Sequence, residues 1–153
     1  MPHLDLSLRL LLAAGLGAAI GLEREYRQKP AGLRTNILIA AGSALYTILS
    51  VSIAGGTPDR VAAQIVTGIG FLGGGAILRS RNSVHGMTTA ATIWVNAAIG
   101  MAAGLGEPAL AVVATLLTLA VLVVLPPIEA YFERRGGVVV HNHRPSNTSL
   151  DRR

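Results

Sequence analysis

The sequence predicts an all-α membrane protein: a compact bundle of about five transmembrane helices, with the N-terminus outside and the C-terminus in the cytoplasm. Three observations predict it. Of the 153 residues, 51% are hydrophobic and 14% charged, whereas a soluble domain carries roughly 25% charged residues to coat its surface. Aromatic residues make up only 4% and there are 18 glycines, so the apolar content is Ala, Leu, Ile and Val set among Gly, as in helices packed closely within lipid. Finally, apolar runs near 20 residues recur along the chain, the length that crosses about 30 Å of hydrocarbon at 1.5 Å per residue.

The first run covers Leu6 to Leu22, with Arg9 near its start, where a long side chain can reach the headgroups. The second covers Thr35 to Ile53, the third Arg60 to Leu78, and the fourth Met87 to Leu105. The fifth covers Ala109 to Leu125, with an extension past Pro126-Pro127; its Leu122 reads as lipid-facing. Turn formers separate the runs: Lys29-Pro30-Ala31-Gly32, Gly55-Gly56-Thr57-Pro58, Arg79 to Gly86, and Gly106-Glu107-Pro108. A secretory leader is a weaker account of Leu10 to Leu22, because Asp5 spoils the positive start and further apolar runs follow. After Phe132 the composition turns polar, so residues 1–133 read as the membrane domain and 134–153 as a short cytoplasmic tail.

Charge placement supplies the orientation. The loop after the first run holds Arg24, Arg27, Lys29 and Arg34, the loop after the third holds Arg79 and Arg81, and the tail holds Arg134, Arg135, Arg144, Arg152 and Arg153. Those are 11 of the 13 basic residues, leaving Arg9 and Arg60 for the other side. With five crossings, basic residues stay in the cytoplasm as the positive-inside rule requires. The net charge of +5 would suggest nucleic acid in a soluble protein, but no aromatic residues are interleaved for base stacking. With no cysteine, disulfides and thiolate chemistry are excluded.

Gly68-Ile69-Gly70-Phe71-Leu72-Gly73 fits the dinucleotide pattern G-x-G-x-x-G, yet no acid follows about 20 residues on to hold a ribose. Small residues that let helices approach are the better account. Gly17 and Gly21, Gly70 and Gly74, and Gly100 and Gly104 are spaced for it, and Gly68 and Gly73 join this packing set. Polar residues add a second pattern. Arg60, Gln64 and Thr67 share one face of the third helix, and Thr89, Thr92 and Asn96 one face of the fourth. Both faces should turn into the bundle, a subunit contact or a wet cavity. Asp59 and Arg60 read as helix-start residues. Within the spans no Asp or Glu lies away from the ends, so ligands for Mg2+ are lacking. His141-Asn142-His143 has no third ligand beside it, and no catalytic set is legible, so neither metal nor cofactor nor catalysis is expected.

Four ordered blocks carry a resemblance. Gly21-Leu22-Glu23-Arg24-Glu25 is followed by Ala31-Gly32-Leu33-Arg34-Thr35-Asn36. Next come the stretch from Arg60 to Gly73 and the stretch Gly86-Met87-Thr88-Thr89-Ala90-Ala91-Thr92-Ile93-Trp94. Together they resemble the MgtC/SapB family of bacterial inner-membrane proteins. The resemblance implies a helical membrane domain, a link to magnesium limitation and, in one branch, virulence and restraint of the F-type ATP synthase. It marks Arg34, Thr35, Asn36, Arg60, Gln64, Thr89, Thr92 and Trp94 as functional candidates, to which are added Asn96 from the polar face of the fourth span, Asp59 at the entrance of the third, and Thr88. Longer members look to have a soluble C-terminal domain that this chain lacks, and an Asn where this chain has Thr88.

The expectation is therefore a non-enzymatic multi-pass protein of the bacterial inner membrane that binds lipid, other copies of itself and a membrane protein such as the F-type ATP synthase. A small transporter or channel for Mg2+ or another ion is the alternative.

Overall fold

The structure is a computed structural model that describes residues 2–52, 58–80 and 83–136. Five helices are present among the described residues: α1 (Pro2–Tyr26), α2 (Leu33–Ser52), α3 (Pro58–Gly75), α4 (Met87–Leu105) and α5 (Pro108–Gly136). Between α3 and α4 the chain forms a small antiparallel hairpin, β1 (Leu78–Ser80) and β2 (Ser83–His85), with Arg79 opposite Val84. The sequence reading had only a loop there. It also carried the third span to Leu78, whereas α3 ends at Gly75 and Leu78 starts a strand.

Among the described residues, four helices are long and apolar enough to cross a membrane: α1 within Asp5–Tyr26, α2, α4, and α5 within Pro108–Phe132. The third expected span does not reach that standard. Its 18 residues give a length of roughly 27 Å, but Asp59, Arg60 and Gln64 dilute its apolar content.

The helix ends follow from local chemistry. The α1–α2 turn places Gln28 and Ala31 at positive φ, 53° and 57°, and the Glu25 carboxylate accepts a hydrogen bond from the Leu33 amide at 3.1 Å. That contact satisfies one of the donors that open α2. At the start of α4, Gly86 has φ 91° and lies against the Ala76 carbonyl where a Cβ would collide. At its end Gly106 has φ 86°, and the Glu107 amide donates to the Ala102 carbonyl at 3.0 Å, closing a Schellman turn. Arg9 donates through Nη1 to the Gly104 carbonyl at 3.3 Å and pairs with Asp5 at 2.7 Å, putting positive charge at the negative end of α4.

Ala13, Ile20, Ala44, Ile99, Ala103, Ala111 and Leu122 form the main core, which joins α1, α2, α4 and α5. Leu122 is therefore buried, where the sequence reading had it face lipid. A second cluster, Ile39, Ile69, Ile93 and Ala97, fastens α3 to α2 and α4. Pro126 and Pro127 lie inside α5 without ending it. Pro127 has no N–H for the Val123 carbonyl four residues back, and Arg27 Nη2 donates to that carbonyl at 3.4 Å. Most of the expected tail, including His141 and His143, lies outside the described residues.

Candidate functional site

A polar seam runs through the apolar bundle. Gly17 and Gly21 of α1 let α2 approach so closely that a Cβ would come within 2.6 Å of the Asn36 carbonyl oxygen or 2.7 Å of Leu33 Cα. On α4, Gly100 lies against the Ala40 backbone, and a Cβ on Gly104 would be 2.7 Å from the Ala44 carbonyl. With α1 and α4 drawn onto α2, Asn36 and Asn96 come together, both fully buried. Asn96 Nδ2 donates to the Asn36 backbone carbonyl at 2.7 Å and to its Oδ1 at 3.1 Å. Asn36 Nδ2 in turn donates to the carbonyls of Ala31 and Gly32, the latter at 3.0 Å, and so closes the N-terminal turn of α2. Among the described residues Asn96 Oδ1 has no donor.

The second buried contact was not anticipated. Arg24 is not a loop residue: α1 continues to Tyr26, Arg24 is 4% exposed, and its Nη2 donates to Thr89 Oγ1 at 2.9 Å. Beside it Glu23 pairs with Arg27 at 2.7 Å, with 9% of the Glu23 side chain exposed. Thr92, also buried, donates to the Thr88 carbonyl at 2.7 Å. The Thr89, Thr92 and Asn96 face of α4 is thus turned inward. Sequence spacing located that face, while the Arg24 partner stood in a charged segment that looked solvated.

The other polar face behaves differently. Asp59, Arg60, Gln64 and Thr67 of α3 are exposed, and so are Arg34, Thr35, Thr88 and Trp94. Arg60 and Gln64 make no hydrogen bond or ion pair among the described residues. The glycines divide in the same way. Gly73 touches Ala90 of α4, but a Cβ on Gly68, Gly70 or Gly74 would meet nothing within 4 Å. Close packing at Gly70 and Gly74 is therefore corrected: within one chain these glycines line no helix contact. A groove of about 660 Å³ separates α3 from α2, lined mainly by apolar side chains together with Thr35, Ser43, Tyr46 and Gln64.

Long apolar helices enclosing paired amides and a paired guanidinium define a multi-pass helical membrane protein. Residues 10–131 match the family model described as MgtC family. The chain belongs to that family. It is 49% identical over 118 residues to the protein named MgtC of Salmonella typhimurium, covering 77% of this chain and 51% of that protein. Over 124 residues it is 49% identical to the Escherichia coli protein named "Putative magnesium transporter YhiD", covering 75% and 58%. It is also 42% identical over 143 residues to an uncharacterized protein of Synechocystis, covering 93% and 57%. The chain thus spans about half the length of these relatives. No solved structure matches it.

Proposed function

We propose that the chain is a non-enzymatic protein of the bacterial inner membrane, active in adaptation to low magnesium, and that it works by binding membrane partners or further copies of itself. The observation that carries this reading is the disposition of its polar groups. Asn96 bonds to Asn36 and Arg24 to Thr89 inside the bundle, whereas Gln64, Thr67, Gly70 and Gly74 are exposed on α3. A polar, glycine-bearing helix face in lipid is suited to another helix, since amides there find partners and small residues permit close approach. Family membership supports the magnesium connection. The F-type ATP synthase is the candidate partner that the family resemblance suggests, and virulence is the wider process.

Ion transport is the second reading, favoured by the name of the Escherichia coli relative. Purified protein in liposomes, assayed for Mg2+ flux, separates the two. Flux at background level, together with association that weakens in Gln64→Leu or Gly70→Leu protein, is the result expected. Flux abolished by Asn96→Leu in a folded protein would establish transport instead.

A further inference from the structure

The groove between α2 and α3 does not end blindly. At the end marked by Tyr46 and Val61 it adjoins a second cavity, of about 470 Å³, lined by Arg60, Val61, Ala63 and Gln64. Val61 and Gln64 line both spaces. Adjoining across these two side chains, the two spaces present a cationic, amide-bearing mouth beside a long apolar body. The geometry points to a binding site for one anionic phospholipid, its phosphate at Arg60 and Gln64 and an acyl chain along the groove toward Leu38 and Thr35.

Charge and length both favour this occupant. Arg60 is a guanidinium with no partner among the described residues, and a planar fork of donors matches phosphate oxygens. The Gln64 amide offers two more donors beside it. From Tyr46 to Thr35 the groove follows 11 residue steps of α2, which at 1.5 Å each gives roughly 16 Å. That is about half of the ~30 Å hydrocarbon core, the depth of one leaflet. The body of the groove is Leu38, Ile39, Ile65, Ile69, Leu72 and Ile93, with Gly42 and Gly68 widening it. Neither glycine has an atom within 4 Å of where a Cβ would be, so the widening serves no contact inside the chain. The Gly70 and Gly74 face, offered above for helix association, lies elsewhere on α3 and lines neither space; Gln64 is the residue that the two readings share.

The test uses the full chain in nanodiscs containing phosphatidylglycerol or phosphatidylcholine that carries a photoactivatable acyl chain, with labelled peptides mapped by mass spectrometry. Labelling should concentrate on α2 and α3 groove residues and favour phosphatidylglycerol by roughly five-fold, the effect of one cation near a headgroup. Arg60→Gln should erase that preference while leaving labelling in place. Gly68→Leu, which has open space for its side chain, should remove labelling from the groove. Circular dichroism checks the fold of both variants, and the headgroup preference of the unaltered chain is decisive without either. Equal labelling by the two lipids overturns the proposal. So does a groove closed to both lipids in which a Gly68→Cys variant forms a disulfide between two copies, which would assign the recess to a second copy of the chain.

Discussion

Asn36 shows how much one side chain can do in this bundle. Its amide ends the turn between α1 and α2, and its carbonyl groups receive Asn96 from α4. In Asn96→Leu protein both Asn36 acceptors lose that donor, a loss of about 0.6–2 kcal/mol for an interhelical hydrogen bond in a membrane protein. Thermal unfolding in detergent should register it. The glycines give a sharper contrast. Gly100→Leu drives a side chain into the Ala40 backbone and should cost at least the roughly 1–3 kcal/mol of ordinary overpacking, while Gly70→Leu, pointing into open space, should leave the melting of the monomer nearly unchanged. Equal melting of these two variants would contradict the arrangement of α2 and α4. Asn96 and Gly100 were legible in the sequence because polar or small residues inside apolar runs are conspicuous, whereas Asn36 was marked only by the family resemblance. Arg24 and Arg9 were not: each stands among charges near a run's end, where a solvated side chain and a bonded one have the same sequence signature. Leu122 was misread for the converse reason, since the fifth run is apolar on every side and periodicity cannot say which side is inward.

At the scale of elements, α1, α2, α4 and α5 were legible as long apolar runs, with ends set by Gly106 and the proline-bearing turns. The hairpin of β1 and β2 was not, because three-residue strands are too short to establish a period. The start of α2 depends on a carboxylate from the preceding helix. Glu25→Ala should therefore lower stability by about 1 kcal/mol, the usual loss of an N-terminal helix cap, and Glu25→Gln by less, because its amide oxygen still accepts from Leu33. A matching drop in detergent melting temperature for both variants would assign the effect to charge rather than to the hydrogen bond. Element α3 is where reading by run and reading by hydropathy part: its spacing and flanking loops imply a crossing, yet Asp59, Arg60 and Gln64 leave it less apolar than its neighbours.

For the whole molecule that difference decides the topology. If α3 crosses, Arg79 and Arg81 share a side with Lys29 and Arg34; if it does not, everything after α2 is inverted and the basic residues are divided between the two faces. The positive-inside rule favours five crossings, so reporter fusions after Arg27 and Ser83 should read cytoplasmic and a fusion at Glu107 external. A periplasmic signal at Ser83 would leave α3 on the outer side. The bundle is also mechanically unequal. Backbone against backbone at Gly17, Gly21, Gly100 and Gly104 locks α1, α2 and α4 into one rigid body, since packed interiors resist continuous deformation. By contrast, α3 rests on the small cluster of Ile39, Ile69, Ile93 and Ala97 with a groove at its side. Hydrogen exchange should accordingly be fastest in α3 among the five helices. The glycine seams therefore act as a stator against which α3, held by fewer buried side chains, is the helix with the most room to shift.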